Sequence, residues 1–280
     1  MTTTSLPRRI AVIGVGLVGG SLVRALHGHQ NVSVVAIDAD PATRQALERE
    51  ALADVILAAP TDALFSCDVV VLATPIAAIE SMLSEVSAAM RDGAVLTDVG
   101  GVKSSVLAAA RAGVRSEVSF VGAHPMFGGE LGGFASSRAD RWRGVVAVCT
   151  DDANERDIAQ IEAMHRALGA EVVRCTAEEH DAAVALVSHL PYVVASALSL
   201  VARDAGPLAK ALAGQGFVDA TRLASFAYDV QGEVARRNPS LPRAIDRMHD
   251  ALLAIAGSLS ESSESARIAL ESARAAKKSF

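Results

Sequence analysis

Apolar residues are distributed in two different ways along the 280-residue chain. Up to about residue 176 they come in short, nearly unbroken runs, at 10–13, 34–37, 55–57, 69–73, 94–97, 118–121, 145–149 and 171–175, set off by Gly, Pro and polar turns. Runs this short are too brief for helices, and without polar alternation they predict strands covered on both faces, as in a parallel sheet. Between them, 17–29, 41–52, 76–90 and 154–168 carry helical patterns, with Pro41 at a first turn. The alternation predicts a doubly wound, mostly parallel α/β sheet. From Ala177 the strand signals stop and Ala-rich helical patterns take over. The stretch from Glu178 to about Arg203 is apolar nearly all round, so both of its sides need cover that a small helical half cannot supply alone. A second copy of the chain is the simple remedy, and the helical half is expected to form a homodimer. Residues 257–280, rich in Ser, Glu, Ala, Arg and Lys, predict an exposed helix or a fraying tail.

The first run leads into Gly14-Val15-Gly16-Leu17-Val18-Gly19, and the second ends on Asp38. Gly14 permits a sharp turn, Gly16 lets the backbone approach a pyrophosphate, and Gly19 lets the helix pack closely on the strand. The phosphates then face free N–H groups at the positive end of the helix. Asp38 can accept hydrogen bonds from ribose hydroxyls and repels a 2′-phosphate, which favours NAD over NADP. Strand, glycine loop, helix and acid fall in the order of a Rossmann dinucleotide site, with a structural βαβ turn as the bland alternative. Arg44 either reaches the adenine or a phosphate, or is a solvated side chain after Pro41. Thr74, followed by Pro75, closes the fourth run at the carboxyl edge of the sheet, where open α/β folds bind ligands. Residues 1–176 are therefore expected to form a dinucleotide-binding Rossmann domain, and 177–280 a helical substrate and dimerisation domain.

Composition narrows the possibilities. The chain is 51% hydrophobic but 4% aromatic, with a net charge of -6, so there is no broad basic surface for nucleic acid or anionic lipid. Cys67, Cys149 and Cys175 are scattered among apolar residues and fit free thiols in a reducing, cytoplasmic setting better than disulfides or a metal site. No uncharged apolar run is expected to reach membrane-spanning length, and the first nine residues hold no apolar signal segment.

Three side chains could carry chemistry. His124 stands at a strand's carboxyl end before Pro125 and a glycine-rich loop, on the edge where a nicotinamide would lie. An imidazole there can accept a hydroxyl proton as hydride leaves the same carbon, although a loop histidine bonded to backbone has the same signature. His189 interrupts an apolar helix in Ser188-His189-Leu190-Pro191, and either contacts a ligand or is a satisfied core histidine. Arg222, in Gly216-Phe217-Val218-Asp219-Ala220-Thr221-Arg222, either grips a substrate carboxylate with two parallel hydrogen bonds or sits in a structural salt bridge with Asp219 or Glu233. His180 has the wrong spacing to His189 for a helical metal pair, and His165 is expected on an exposed helix face.

Taken in order, these segments, together with Asp98-Val99-Gly100-Gly101-Val102-Lys103 and Gly122-Ala123-His124-Pro125-Met126 through Gly128 and Glu130 to Gly133, resemble the prephenate and arogenate dehydrogenase family of tyrosine biosynthesis over nearly the whole chain. The resemblance implies a Rossmann domain, a helical dimerisation domain, NAD, and oxidative decarboxylation of a cyclohexadienyl carboxylate. It implies that His124 draws off the ring hydroxyl's proton, that His189 lines the site beside substrate and nicotinamide, that Arg222 binds a substrate carboxylate, and that Glu130 sets the pocket's polarity. The cofactor-binding set would be Gly14, Gly16, Leu17, Val18, Gly19, Asp38, Thr74, Pro75 and Asp98.

Departures matter as well. The family commonly has Ser where this chain has Gly101, which leaves the substrate's 4-position less constrained. After Arg222 the family's Ser-Asp-Pro and Trp-containing stretch is replaced by Ala224-Ser225-Phe226-Ala227-Tyr228-Asp229, so the side-chain pocket differs. The chain is expected to carry neither the regulatory nor the mutase domain that many members have. Prephenate, arogenate and 4-amino-4-deoxyprephenate all remain open as substrates. The rival readings are a hydroxyacid dehydrogenase, for which Lys210 lacks the expected setting, and an NAD-binding sensor without turnover.

Overall fold

The computed structural model describes residues 6–129 and 131–279. Six parallel strands, β1 (Arg9–Ile13), β2 (Ser33–Ile37), β3 (Val55–Leu57), β4 (Val69–Leu72), β5 (Val95–Asp98) and β6 (Ser119–Val121), form a sheet in the order β3-β2-β1-β4-β5-β6. The reversal of winding beside β1 places the crevice for a ligand between the carboxyl ends of β1 and β4. A smaller sheet follows, in which β7 (Ala123–Pro125) pairs antiparallel with β8 (Val146–Thr150) and β8 runs parallel to β9 (Glu171–Cys175). Only Gly122 separates β6 from β7, so the chain passes from one sheet to the other at that glycine.

Helices α1 (Leu17–His27), α2 (Pro41–Arg49), α3 (Ile76–Ala89), α4 (Ser104–Gly113) and α5 (Glu155–Ala167) cover both faces of these sheets. Alternate residues of β1 serve opposite cores: Ile10 and Val12 pack with α1, Trp142 and α5, while Ala11 and Ile13 pack with α3 and α4. This is why the strands read as continuous apolar runs. Asp40 caps α2 through the N–H groups of Ala42 and Thr43, with Pro41 opening the helix.

The remaining chain is helical: α6 (Ala177–Val184), α7 (Leu190–Arg203), α8 (Gly206–Leu212), α9 (Gln215–Thr221), α10 (Glu233–Arg237), α11 (Leu241–Glu261) and α12 (Ser263–Lys277). Thr176 and Glu179 form a capping box that starts α6. A π-turn at Ala185–His189 joins α6 to α7 without a break, and Pro191, which has no N–H to donate, follows directly after that turn. The helical core is small, built from Ala185, Leu190, Ala235, Leu241 and Ala244. Leu200, Val201, Leu208, Leu212, Leu252, Leu253, Leu259 and Ile268 all remain exposed.

Two expectations need correction. The continuous helix Ala177–Arg203 is long and apolar enough by length and composition to cross a membrane, and only 28% of its most apolar window is buried. The run does reach that length, because the charges at its start lie before Ala182. It is nonetheless interrupted by the buried His189 and by the π-turn. His165 is not exposed but 1% accessible, stacked on Trp142 with ring centroids 5.3 Å apart, because α5 turns that side toward the core.

Both His165 ring nitrogens and the Trp142 indole nitrogen are buried without a hydrogen-bond partner, and burial holds the His165 pKa down at about 4. The unfolded chain takes up a proton near pH 6.5 that the folded ring refuses. Stability is therefore expected to fall as pH drops from 6.5 toward 4, by up to about 3 kcal/mol from this residue. Urea midpoints across that range check this: His165→Met should lessen the dependence, and an unchanged slope would contradict it.

Candidate active site

The glycine loop follows directly from β1. Gly14 adopts φ +89° and a Cβ there would meet Thr74 Cγ2 at 2.7 Å; a Cβ at Gly19 would meet the Gly14 carbonyl oxygen at 1.9 Å. These two glycines are steric necessities of the loop. Gly16 is different, since a Cβ there would meet nothing within 4 Å. The space in front of α1 is open, its first turn has no side-chain cap, and no acidic residue lies in that turn. The Thr74 hydroxyl is buried on the same edge without a partner. Asp38 accepts from Val15 N at 2.6 Å and from Asp40 N at 2.8 Å, which aims its half-buried carboxylate along this edge. Arg44 donates to the carbonyls of Asp38 and Ala39 at 2.7 and 2.8 Å, so it braces the turn after β2. Open backbone donors, an orphaned hydroxyl and a fixed carboxylate fit a dinucleotide.

His124 is held by a buried ion pair. Asp98, at the end of β5, and Lys103, at the start of α4, are both fully inaccessible and form a short hydrogen-bonded salt bridge. The pair grips both backbone groups of Ala123: Asp98 Oδ1 accepts from Ala123 N at 3.1 Å, and Lys103 Nζ donates to Ala123 O at 2.7 Å. Asp98 Oδ2 also accepts from Gly100 N at 2.8 Å. Burial pushes the Lys103 pKa down, with Asp98 working against it. Asp98 was expected to touch the cofactor, but its oxygens face inward and act through the backbone.

The His124 ring is met from the helical half. Its Nδ1 lies 2.9 Å from His180 Nε2, and His180 Nδ1 lies 2.8 Å from Asp181 Oδ1. Asp181 also accepts from Lys103 N and Ser104 N at 2.8 and 2.9 Å, so a carboxylate of α6 caps α4. Burial raises the Asp181 pKa, but hydrogen bonds from His180, Lys103 and Ser104 outweigh it and hold the carboxyl below its usual range. Loss of solvent, with His180 and Lys103 adding to it, drives the His124 pKa well below that of an ordinary histidine. Asn238 Nδ2 donates to His189 Nδ1 at 2.9 Å and to the Asp181 carbonyl at 2.8 Å. Arg237 ties Glu80 of α3 to Glu233 of α10.

A cavity of about 340 Å³ opens in front of His124, of a size suited to a small-molecule ligand. Met126, Phe127 and Gly128 line one side; Val187, Ser188, Tyr192, Arg222, Leu223, Phe226 and Gln231 come from the helical half. His124 and Arg222 thus share one cavity, as their expected roles require. Gln231 donates to Ser188 at 3.2 Å across its wall. Asp219 and Glu233, the rivals considered for Arg222, accept from Gln215 and from Arg236 and Arg237.

The other expected residues divide. Leu17 faces the loop at Gly129, Val18 packs on the core beside β1, and exposed Pro75 precedes α3. A Cβ on Gly101 would meet Val234 Cγ1 at 2.9 Å and His124 Cε1 at 3.8 Å, so Val234 fills the space a larger residue would claim. His189 is buried at 1% accessibility, behind the cavity lining rather than in it. Its burial also lowers its pKa to about 4. Glu130 lies outside the described residues. Sequence reasoning missed His180, Asp181, Asn238 and Tyr192; the adjacent His180-Asp181 at a capped helix start was the available signal.

The chain was compared with known proteins. The family model described as "Prephenate dehydrogenase, nucleotide-binding domain" matches residues 22–174, and "Prephenate dehydrogenase, dimerization domain" matches 176–267. The prephenate dehydrogenase of Lactococcus lactis is 27% identical over 84% of this chain, which spans 66% of that protein's length. The cyclohexadienyl dehydrogenase of Zymomonas mobilis is 29% identical over 85% of this chain and 84% of its own. The crystal structure of prephenate dehydrogenase from A. aeolicus with hydroxyphenyl propionate and NAD+ superposes with a TM-score of 0.89, covering 99% of both chains at 22% identity, a likeness of fold.

Two substitutions separate the loop's roles. Gly19→Ala should unfold or strongly destabilise the protein, while Gly16→Val should keep its urea midpoint and weaken NAD+ binding about tenfold, some 1.4 kcal/mol, in a titration. Equal affinity in Gly16→Val would contradict the cradle. Lys103→Met, which strands a buried carboxylate, should cost about 3–5 kcal/mol in the same denaturation measurement; a loss below about 1 kcal/mol would contradict the grip on Ala123.

Proposed function

The chain belongs to the prephenate dehydrogenase family, and we propose that it catalyses NAD-dependent oxidative decarboxylation of prephenate to 4-hydroxyphenylpyruvate in tyrosine biosynthesis, as a cytoplasmic homodimer. Residues 1–176 act as the dinucleotide-binding domain and 177–280 as the substrate and dimerisation domain. The observation that carries this reading is that His124 and Arg222, from the two halves of the chain, line one cavity at the carboxyl side of the sheet. The free state of all three cysteines supports the compartment. The exposed leucines and valines of α7, α8, α11 and α12 support the dimer, because a second copy would cover them.

NAD+, held along Gly14–Gly19, Asp38 and Thr74, supplies the hydride acceptor for C4 of the substrate. The chain's residues perform the remaining tasks. His124 meets the 4-hydroxyl with an uncharged ring and takes its proton as C4 becomes a carbonyl. The resulting vinylogous β-keto acid loses CO2, and aromatisation makes the step irreversible. Arg222 holds a substrate carboxylate and makes no bond. Phe127, Tyr192 and Phe226 pack on the ring and exclude water, while Glu130 helps set the pocket's polarity.

Gly101 brings no hydroxyl to the 4-position and Val234 occupies the space beside it, which leaves a second reading at C4, in which a 4-amino substituent is accepted, as in 4-amino-4-deoxyprephenate. NADH formation with prephenate, arogenate and that amino acid, against NAD+ and NADP+, decides the substrate. The fastest turnover is expected with prephenate and NAD+. Binding of NAD+ with no NADH formed on any of the three would overturn the enzyme reading in favour of a sensor.

His124→Asn should lower kcat by about 10²–10⁴-fold with little change in KM. Arg222→Ala should raise KM about tenfold or more with a smaller effect on kcat. If both variants changed KM alone, His124 would lose its role. Because the His124 pKa is depressed, the base stays unprotonated as pH falls below 6.5, and kcat/KM should decline only when the medium is acidic enough to protonate that ring.

A further inference from the structure

The polar chain behind His124 has no place in the reaction as described so far. Asp181 Oδ1 accepts the Lys103 backbone N–H and faces His180 Nδ1. A carboxylate can only accept, so the proton between them sits on His180 Nδ1. With His180 neutral, its Nε2 offers a lone pair, and the group 2.9 Å away is His124 Nδ1. That contact is a hydrogen bond only if His124 Nδ1 carries the proton, which leaves His124 Nε2 as the unprotonated nitrogen. Asp181 cannot rotate away from this duty, because its second oxygen is held by Ser104 N and its main-chain carbonyl by Asn238.

We infer that His180 and Asp181 are positioning residues that fix His124 in the Nδ1–H tautomer and accept the charge it acquires when it takes the substrate's hydroxyl proton. The inference rests on the reading of His124 as the base. When the substrate O–H bond breaks, its electron pair forms the C=O bond, hydride leaves C4 for the nicotinamide, and the proton goes to His124 Nε2. The His124 Nδ1 proton moves to His180 Nε2, and His180 keeps its Nδ1 proton on Asp181. The positive charge thus ends one ring deeper, against a carboxylate, and His124 is returned to its neutral form while the product carbonyl is still in the cavity.

The surroundings suit such a transfer. The charged and titratable groups facing the two rings are Lys103 and Asp98 from the Rossmann half and Asp181 and His189 from the helical half. Lys103 disfavours a cation on His124. His180 is 2% accessible and Asp181 fully buried, so bulk water does not compete for the proton. The hydrogen bond between the rings spans the two halves of the chain, and Asp181 simultaneously caps α4, so the same contact that docks the helices sets the protonation of the base.

The test compares His180→Phe and His180→Gln with the unaltered enzyme, using steady-state kinetics with prephenate and NAD+. In Phe the acceptor is gone; in Gln a carbonyl oxygen can still accept from His124 but cannot take the proton. His180→Phe is expected to lower kcat about 100-fold and His180→Gln about tenfold, both with KM and NAD+ affinity within about threefold. The acid limb of the kcat/KM profile should also move in both variants. If His180→Phe does not fold, the same readout on His180→Gln decides. kcat within about threefold of the unaltered enzyme, or a change confined to KM, overturns the inference. The two readings fail differently: an active His124→Asn removes the base itself, whereas an impaired His124→Asn beside a fully active His180 variant removes only the relay.

Discussion

The buried salt bridge between Asp98 and Lys103 is the interaction on which the site depends. Taking two charges fully out of water is expensive, and a pair of this kind contributes little net stability compared with packed apolar residues. Its value here is geometric. One partner accepts the N–H of Ala123 and the other donates to its carbonyl, so the residue before His124 is fixed from both sides at the junction of the two sheets. A leucine pair would fill the same volume without specifying where the next side chain points.

The helical half completes what the pair begins. Asp181 caps α4 at Lys103 and Ser104, and its neighbour His180 meets His124, so one short segment of α6 both seats the two halves on each other and contacts the imidazole. Asn238 joins His189 to the main chain of Asp181, extending the network into α10 and α11. Burial is what gives these contacts weight, since each polar group in the network would be costly if left unmatched. The cavity in front is assembled from both halves, which couples its shape to the way they dock.

The alternation of strands and helices and the glycine loop were legible in the sequence, the loop because local sterics dictate it: a positive φ at Gly14 and a Cβ clash at Gly19 admit few other residues. The meeting of His124 and Arg222 was legible as well, through the resemblance of ordered motifs. Asp98 was misread because an acid at a strand's carboxyl end looks the same whether it faces ligand or protein, and only tertiary packing decides. His180-Asp181 was weighed for metal spacing along its own helix, while its partner lies 56 residues away. His165 shows the same limit, as a polar residue in an amphipathic pattern whose buried side is set by Trp142. The expectation about membrane-length runs fails on residues 182–202, which carry no Asp, Glu, Lys or Arg between Asp181 and Arg203.

On the proposed reading, the network behind β7 presents His124 to the cavity as a neutral ring with an unprotonated Nε2. Nitrogen NMR of the histidine-labelled enzyme at neutral pH, with the His124 signals assigned by their loss in His124→Gln, reads this directly. A protonated Nδ1 and a bare Nε2 are expected. A protonated Nε2, or an imidazolium, would contradict it.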